Sequence, residues 1–460
     1  MKLLPGDAPL DSVPFLFGDV FAPVCITEVD LAEPIPLLRP SPSGESDGYS
    51  RALSLVWVHD HPIGLVQLAI PPGGLNAEQY ARQIWRQIGD AINTHLTRDG
   101  LPSLRGLTAA GIGQPGNAGC WAALDAARAS GPRVSVVIPT RNRPDQIVAC
   151  ITSVLRQDYP AHEIIVADNG PCSSETQDAV ARNFDGELRV RYVREEVGGT
   201  SRARNRGIQL AQGDIIAFCD DDVRHDRRWL LHLVLGFGMG DRVGCVTGLV
   251  LPHELETEPQ VWLEQYGGYS KGFVQQIYDL DEHVPQDRLF PFTTGRLGTG
   301  ANMAFRTQIL RSLGGFDIAL GGGSPAIGGE DLAMSFQIIA AGFQLVYQPA
   351  AVVYHPHYRD YAALRRQMYG YGKGLTAYLT KCLIDNPRLG IDMLRKLPFG
   401  LDYLFSPRSR KNRRKSPNYP RELTMIELKG MMDGPFAYVR GRWARDRGRA
   451  TSTILAQSHP

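Results

Sequence analysis

Apolar and polar positions in the middle of the chain alternate in a repeating order of strand, turn and helix. Residues 134–139 form an apolar run, and after Pro144 the residues Ile147, Ile151, Val154 and Leu155 recur at helical spacing on one face. Residues 163–168, 188–193 and 214–219 read as three further strands. This alternation predicts an α/β domain built on a mostly parallel, doubly wound sheet. Ligands of such sheets bind beyond the carboxyl ends of the strands, so Thr140, Arg141, Asp168 and Asp220 to Asp222 are expected to converge on one crevice.

The flanking segments have other patterns. Residues 52–58 and 65–70 are strand-like on either side of a polar turn at 59–62, which predicts a hairpin, and a helical pattern follows over 77–95. Residues 1–20 look irregular. Residues 97–132, rich in Gly, Pro and Ala, read as a linker with at most one short helix. His59 and His61 in the turn could form a metal pair, but no Cys or carboxylate array stands beside them in the sequence, which argues against ligation. Beyond residue 357 the pattern is helical, broken into pieces at Pro387, Pro398 and Pro407. The expected organisation is a small αβ unit over 1–97, a linker over 98–132, a central α/β domain over 133–357 and a helical region over 358–460.

The composition, 43% hydrophobic and 21% charged over 460 residues with a formal net charge of +1, fits an ordinary soluble protein with a large core. Seven cysteines are scattered without metal-site or disulfide spacing, so a reducing compartment, the cytoplasm, is expected. The longest apolar run, residues 52–58, is far too short to span a bilayer. From Arg408 to Arg449 there are 13 Lys or Arg against 4 Asp or Glu. This tail is either a solvated surface or a patch attracted to anionic lipid or to a phosphate-bearing acceptor, which would place the protein peripherally at the inner face of the cell membrane. With few interleaved aromatics and near-neutral overall charge, nucleic acid is not expected as a partner.

The most informative chemical feature is Asp220-Asp221-Asp222, placed at the end of an apolar strand. Carboxylates so placed suit Mg²⁺ or Mn²⁺ with coordination positions left for a substrate phosphate; a solvated, helix-capping turn is the plainer alternative. Neither a Gly-x-Gly-x-x-Gly after the first strand nor a Walker A sequence is present, and the glycine-rich segment 370–374 reads as a turn or a helix-packing feature. Glu330 and Asp331 follow a glycine-rich loop at the first turn of a helical pattern, where they could act as a general base or simply as capping charges.

Taken in order, Val134 to Arg143, Ile164 to Gly170, Ala203-Arg204-Asn205-Arg206-Gly207, Phe218 to Asp222, Gly298 to Met303 and Gly329-Glu330-Asp331-Leu332 resemble the family 2 glycosyltransferases. The resemblance covers roughly residues 133–357. It implies the GT-A nucleotide-diphospho-sugar transferase fold and an inverting, divalent-cation-dependent transfer of a sugar, with uridine the common nucleotide. The resemblance assigns Pro139, Thr140, Arg141, Arg143, Asp168, Arg204, Asp220 and Asp221 to the donor, with Asp168 at the base and Asp221 at sugar hydroxyls. It gives Asp222, Asp220 and His355 to the metal, Asp331 the role of base and Glu330 that of orienting the acceptor. A saccharide or lipid-linked acceptor in cell-surface polysaccharide or glycolipid synthesis is the implied partner. The competing readings are a nucleotidyltransferase and a non-catalytic sugar-nucleotide-binding scaffold.

Three further expectations concern the crevice. The glycines at 314–315 and 321–323 suggest a loop that orders over bound donor. Backbone donors after Gly198-Gly199 could face phosphate. Trp262, Tyr266 and Tyr269 are either core aromatics or stacking platforms for acceptor sugar.

Overall fold

The computed structural model describes residues 21–39, 48–114 and 119–457, with side chains through residue 446; the irregular stretch expected over 1–20 lies outside them. Strands β1 (Val24–Asp30), β2 (Arg51–Val58) and β3 (His61–Ala69) form a small sheet, with β1 parallel to β2 and β2 antiparallel to β3. The hairpin turn is tighter than the sequence suggested. Val58 pairs with His61, leaving only His59 and Asp60, both left-handed at φ 48° and 63°, as a two-residue turn needs to match the strand twist. Helix α1 (Ala77–Arg98), closed at its start by a capping box between Asn76 and Gln79, lays Tyr80, Ile84, Ile92 and Leu96 over Val56, Val66 and Leu68. Helix α2 (Gly119–Ser130), formed within the expected linker, sends Leu124 into the core of the large sheet.

That sheet contains β4 (Val134–Thr140), β5 (His162–Asn169), β6 (Val190–Glu195), β7 (Ile215–Cys219), β8 (Arg224–His225), β9 (Val243–Pro252), β10 (Gln276–Tyr278), β11 (Asn302–Arg306) and β12 (Gln344–His355). Its order is β10-β12-β9-β11-β7-β4-β5-β6, with β8 against β12. Strands β6, β5, β4 and β7 are parallel, as the sequence predicts, and β9 and β12 are parallel to each other. Strand β11 alone joins the two groups, running antiparallel to both β7 and β9. Its first residue, Asn302, therefore pairs with Cys219, the last of β7, and the loop before it sits at the carboxyl edge of the sheet. This is an α/β sheet of the kind the sequence predicts, extended by antiparallel strands.

Helices α3 (Pro144–Leu155), α4 (Glu175–Phe184), α5 (Thr200–Leu210), α6 (Trp229–Phe237), α7 (Glu258–Tyr266), α8 (Thr307–Ser312) and α9 (Glu330–Ala340) accompany the strands. Apolar layers fill both faces: Val136, Ile138, Ile164, Val166 and Trp229 on one, Val137, Ile165, Phe218, Phe305 and Phe316 on the other. Helix α5 lies so close to β4 that a Cβ at Gly207 would stand 2.3 Å from Val137.

Helices α10 (Tyr361–Asp385), α11 (Leu389–Phe405) and α12 (Arg421–Gln457) form the C-terminal region, where one of two open readings is settled and two expectations are corrected. Segment 370–374 lies inside α10 and serves packing, not a turn: a Cβ at Gly372 would fall 2.0 Å from the Glu427 carbonyl oxygen. Pro398 does not break the helix, because α11 runs through it. The basic cluster is partly docked: Lys411 is buried against Glu427 at 2.5 and 2.7 Å, and Lys415 donates to Asn412 and Thr424. No helix among the described residues is long and apolar enough to cross a membrane.

Candidate active site

The three aspartates leave the end of β7 in different directions. Asp221 turns inward, accepting a bond from the Thr140 hydroxyl at 2.7 Å and an ion pair from Arg143 at 2.8 Å. Burial pushes its carboxyl up to about 6, with Arg143 and Thr140 opposing. The Asp221 and Thr140 side chains, both expected at the donor, are thus bonded to each other. Arg143 continues to Asp222 at 3.0 Å, joining the helix α3 entrance to the triplet. Pro139, also expected at the donor, is buried inside β4.

Asp220 and Asp222 face the end of β12. His355 Nε2 stands 3.7 Å from Asp220 Oδ2 and 3.7 Å from Asp222 Oδ1, too far for hydrogen bonds. Its Nδ1 donates to the Pro356 carbonyl at 2.7 Å, which fixes the ring and leaves Nε2 pointing at both carboxylates. Burial opposes charging this imidazole, but the two aspartates outweigh it and raise its pKa. Asp220 is held below the usual carboxylate range despite burial, through His355 and Arg204. Asp222 Oδ1 is buried without a hydrogen-bond partner. Two carboxylates and one imidazole separated by gaps of this width, with an unsatisfied oxygen among them, fit a divalent cation of the Mg²⁺ or Mn²⁺ kind. The ring of Tyr269, 5.2 Å from that of His355, closes the side of this group.

Arg204 links the triplet to the second acidic pair. Its side chain is 2% exposed, with Nη1 2.9 Å from Glu330 Oε1, and Nη2 3.3 Å from the Gly300 carbonyl and 3.5 Å from Asp220. The guanidinium, expected at the donor, is already engaged by two carboxylates and a backbone carbonyl. It is a buried cation shared by carboxylates from opposite halves of the sheet. Burial pushes Glu330 up to about 7, with Arg204 pulling down and Asp331 pushing further up. Asp331 Oδ2 accepts from the Gly300 backbone at 2.9 Å and Oδ1 from Leu332 at 2.8 Å, which leaves further lone pairs on each oxygen. Gly329, at φ 88°, makes the left-handed step that starts α9 with both acids in its first turn.

Asp168 ends β5 fully buried, accepting from Tyr192 at 2.6 Å while its Oδ1 has no partner. Burial raises its pKa, the Tyr192 bond opposing. It is the last residue but one of β5, and exposed Arg141 begins the loop that follows the neighbouring strand end. The α5 entrance is already occupied. Gly199 donates to Asn169 Oδ1 and Thr200 to the Gly322 carbonyl, so these backbone groups are not free for phosphate and segment 321–324 is seated on the helix. Segment 314–317 is likewise clamped, Asn205 bonding both the amide and the carbonyl of Phe316. Trp262 and Tyr266 pack on the C-terminal helices, against Tyr361 and Glu427.

Sequence reasoning missed Tyr192 and the role of Asn302. Asn302 is fully buried and bonds Trp229 at 2.8 Å, the Leu249 carbonyl at 3.0 Å and the Ala351 carbonyl at 2.8 Å. Its signal was present, since a polar residue that opens an apolar strand must find buried partners.

Residues 135–313 match the family model described as Glycosyl transferase family 2. Among curated proteins, Glycosyltransferase AglE of Haloferax volcanii is 36% identical over 104 residues, covering 22% of this chain and 33% of that protein. The glucosyl-dolichyl phosphate glucuronosyltransferase of the same organism is 26% identical over 192 residues, covering 40% of this chain and 56% of that protein. A solved mannosyltransferase from Pyrobaculum calidifontis aligns with a TM-score of 0.42 at 19% identity, over 71% of this chain and 79% of that one. The chain thus spans about a third to a little over half of the curated relatives' length. The matched segment holds the triplet, Asp168, Arg204 and Gly300, and it is over these residues that the chain is similar to glycosyl transferase family 2.

Proposed function

We propose that this chain is an inverting, metal-dependent glycosyltransferase that moves a sugar from a nucleotide-diphospho-sugar to an acceptor hydroxyl. The reading is carried by one observation: Arg204 and Gly300 join a cation-ready group, Asp220, Asp222 and His355, to a buried acidic pair, Glu330 and Asp331. A divalent cation bound by the first group would neutralise charge developing on the departing nucleoside diphosphate. Asp168, with an unpartnered oxygen, accepts from the base, and Arg141 lies where it can meet the donor. Arg143 and Asp221 brace Asp222. Asp331 takes the proton of the acceptor hydroxyl as that oxygen forms a bond to the anomeric carbon and the bond to the diphosphate breaks. Attack from the face opposite the leaving group inverts the centre. Glu330, paired to Arg204, orients the acceptor beside it.

Turnover over a panel of UDP-, GDP- and dTDP-sugars with Mn²⁺ or Mg²⁺ tests this reading, beside Asp222→Ala and Asp331→Asn. Asp222→Ala should lose donor binding; Asp331→Asn should bind donor normally and lose at least about 100-fold in kcat. Full turnover by the Asp331→Asn variant would overturn the assignment.

A lipid-linked acceptor delivered from a membrane surface is the companion reading, and α11 supports it better than the basic cluster does. No side chain of α11 is buried; Ile391, Leu394 and Phe405 are 63%, 70% and 59% exposed, with Arg395 and Lys396 interspersed. Flotation with anionic vesicles should recover the protein, and Leu394→Asp with Ile391→Asp should release it. Equal recovery of the variant would remove this reading.

A further inference from the structure

The turn dismissed as a metal pair on sequence grounds has, in three dimensions, the partners it lacked. His59 from the β2–β3 turn, His95 and Asp99 from the end of α1, and Cys120 from the start of α2 converge, each with one ligand-type atom within 4.8 Å of all the others. Asp99 Oδ2 is the focus: His59 Nδ1 lies at 2.8 Å, Cys120 Sγ at 3.1 Å and His95 Nε2 at 3.2 Å. Three groups crowd one oxygen, and His95 makes no hydrogen bond there. Nε2 of His95 and Nε2 of His59 are both buried without any partner, in side chains only 9% and 1% exposed. An uncompensated buried polar atom is costly, and His95 Nε2, facing Asp99 Oδ2 at 3.2 Å without a hydrogen bond, is the one whose missing partner this cluster would supply; His59 meets the cluster through Nδ1. Bonds of about 2.0–2.3 Å to N, O and S place neighbouring ligands of a tetrahedral ion roughly 3.3–3.8 Å apart; the three Asp99 distances need to lengthen by only a few tenths of an ångström to reach that, and the other pairs already lie within 4.8 Å.

We propose that His59, His95, Asp99 and Cys120 form a structural zinc site that ties the β2–β3 turn, the end of α1 and the start of α2 together beneath the transferase sheet. The donor set decides the ion. Two imidazoles, a thiolate and a carboxylate suit zinc, whereas the oxygen-rich group at Asp220 and Asp222 suits Mg²⁺ or Mn²⁺. Four protein ligands leave no open position, which makes the site structural. The surroundings hold the ligands in place. The His59 carbonyl accepts from His61 Nδ1 at 2.9 Å, and the Asp60 carbonyl meets His232 Nε2 of α6 at 2.9 Å. Asp60 also pairs with Arg228 at 2.6 Å. The two-residue turn, left-handed at His59 and Asp60, presents His59 to Asp99. The proposal is independent of the transferase reading.

Metal analysis of the full chain, purified without chelator in the Asp222→Ala background so that the donor site contributes nothing, should find about one zinc per chain. Cobalt substitution should give a thiolate-to-cobalt charge-transfer band that disappears in Cys120→Ser. In protein with Asp222 and all cysteines intact, zinc should shield Cys120 from alkylation, read at its own peptide by mass spectrometry, and chelation should expose it. That last measurement needs no variant at this cluster to fold. Folded protein without zinc and without the cobalt band, zinc content unchanged in Cys120→Ser, or alkylation of Cys120 indifferent to zinc would each overturn the proposal.

Discussion

Replacing Arg204 with Met removes the cation that Glu330, Asp220 and Gly300 share, while the unbranched side chain keeps most of the volume. Deleting one partner of a buried ion pair costs about 3–5 kcal/mol. Protonation of Glu330 gives this loss a pH signature. Glu330 is raised by burial from its ordinary 4.5 to about 7, so between those values the folded state holds a proton that the unfolded chain has released, and stability falls as pH rises. Above about 7 both states are ionised and the wild-type contribution levels off. Without Arg204, the largest influence pulling that value down, Glu330 titrates higher still, so the variant keeps losing about 1.4 kcal/mol per pH unit where the wild type no longer does. The wild type, half ionised near pH 7, still loses about 0.4 kcal/mol up to pH 8, so the gap between it and Arg204→Met should be about 1 kcal/mol wider at pH 8 than at pH 7, and nearly unchanged between pH 5.5 and pH 6. Denaturant unfolding of wild type, Arg204→Met, Glu330→Gln and the double variant would read this. In the Glu330→Gln background the pH dependence of the gap should vanish. A gap equal at pH 7 and 8, or one that still widens when Glu330→Gln is present, would refute the pairing argument.

Three further outcomes follow from the same geometry. The acid limb of kcat/KM should fall near pH 7 in the wild type, because Glu330 must be ionised to orient the acceptor, and Glu330→Gln should remove that limb; a pH–rate series checks it. Gly300→Ala would bring a methyl within 3.2 Å of both Arg204 Nη2 and Asp331 Oδ2, so kcat should drop while nucleoside diphosphate binding, followed by calorimetry, stays near wild type. Asn302→Leu strands the Trp229 indole N–H and the Leu249 and Ala351 carbonyls; at about 1–3 kcal/mol for each orphan it should destabilise the fold by roughly 3–9 kcal/mol, seen as a lower melting temperature.

The central sheet was readable because its strands are continuous apolar runs separated by helical periodicity, and the same edge-of-sheet reasoning put Asp168, Asp220 and Asp222 at the strand ends where they lie. What the sequence hid was which polar atoms are already satisfied. Nothing local distinguishes Asp221, spent on Thr140 and Arg143, from its neighbours that face His355. Arg204 likewise reads as a donor-binding residue until Glu330, 126 positions later, is seen to occupy it. The His59 cluster was missed for the same reason: its members are spread over three elements, and periodicity says nothing about which helix end meets which turn.

Strand β11 returns between β7 and β9, so one wall of the crevice is written before residue 223 and the other after residue 299. A chain emerging from the ribosome exposes its aspartate triplet long before Asp331 and His355 exist to face it. Such an intermediate lacks both groups that the proposed function assigns to cation and acceptor, so on that reading competence arrives only once β12 has been made and the sheet has closed around β11.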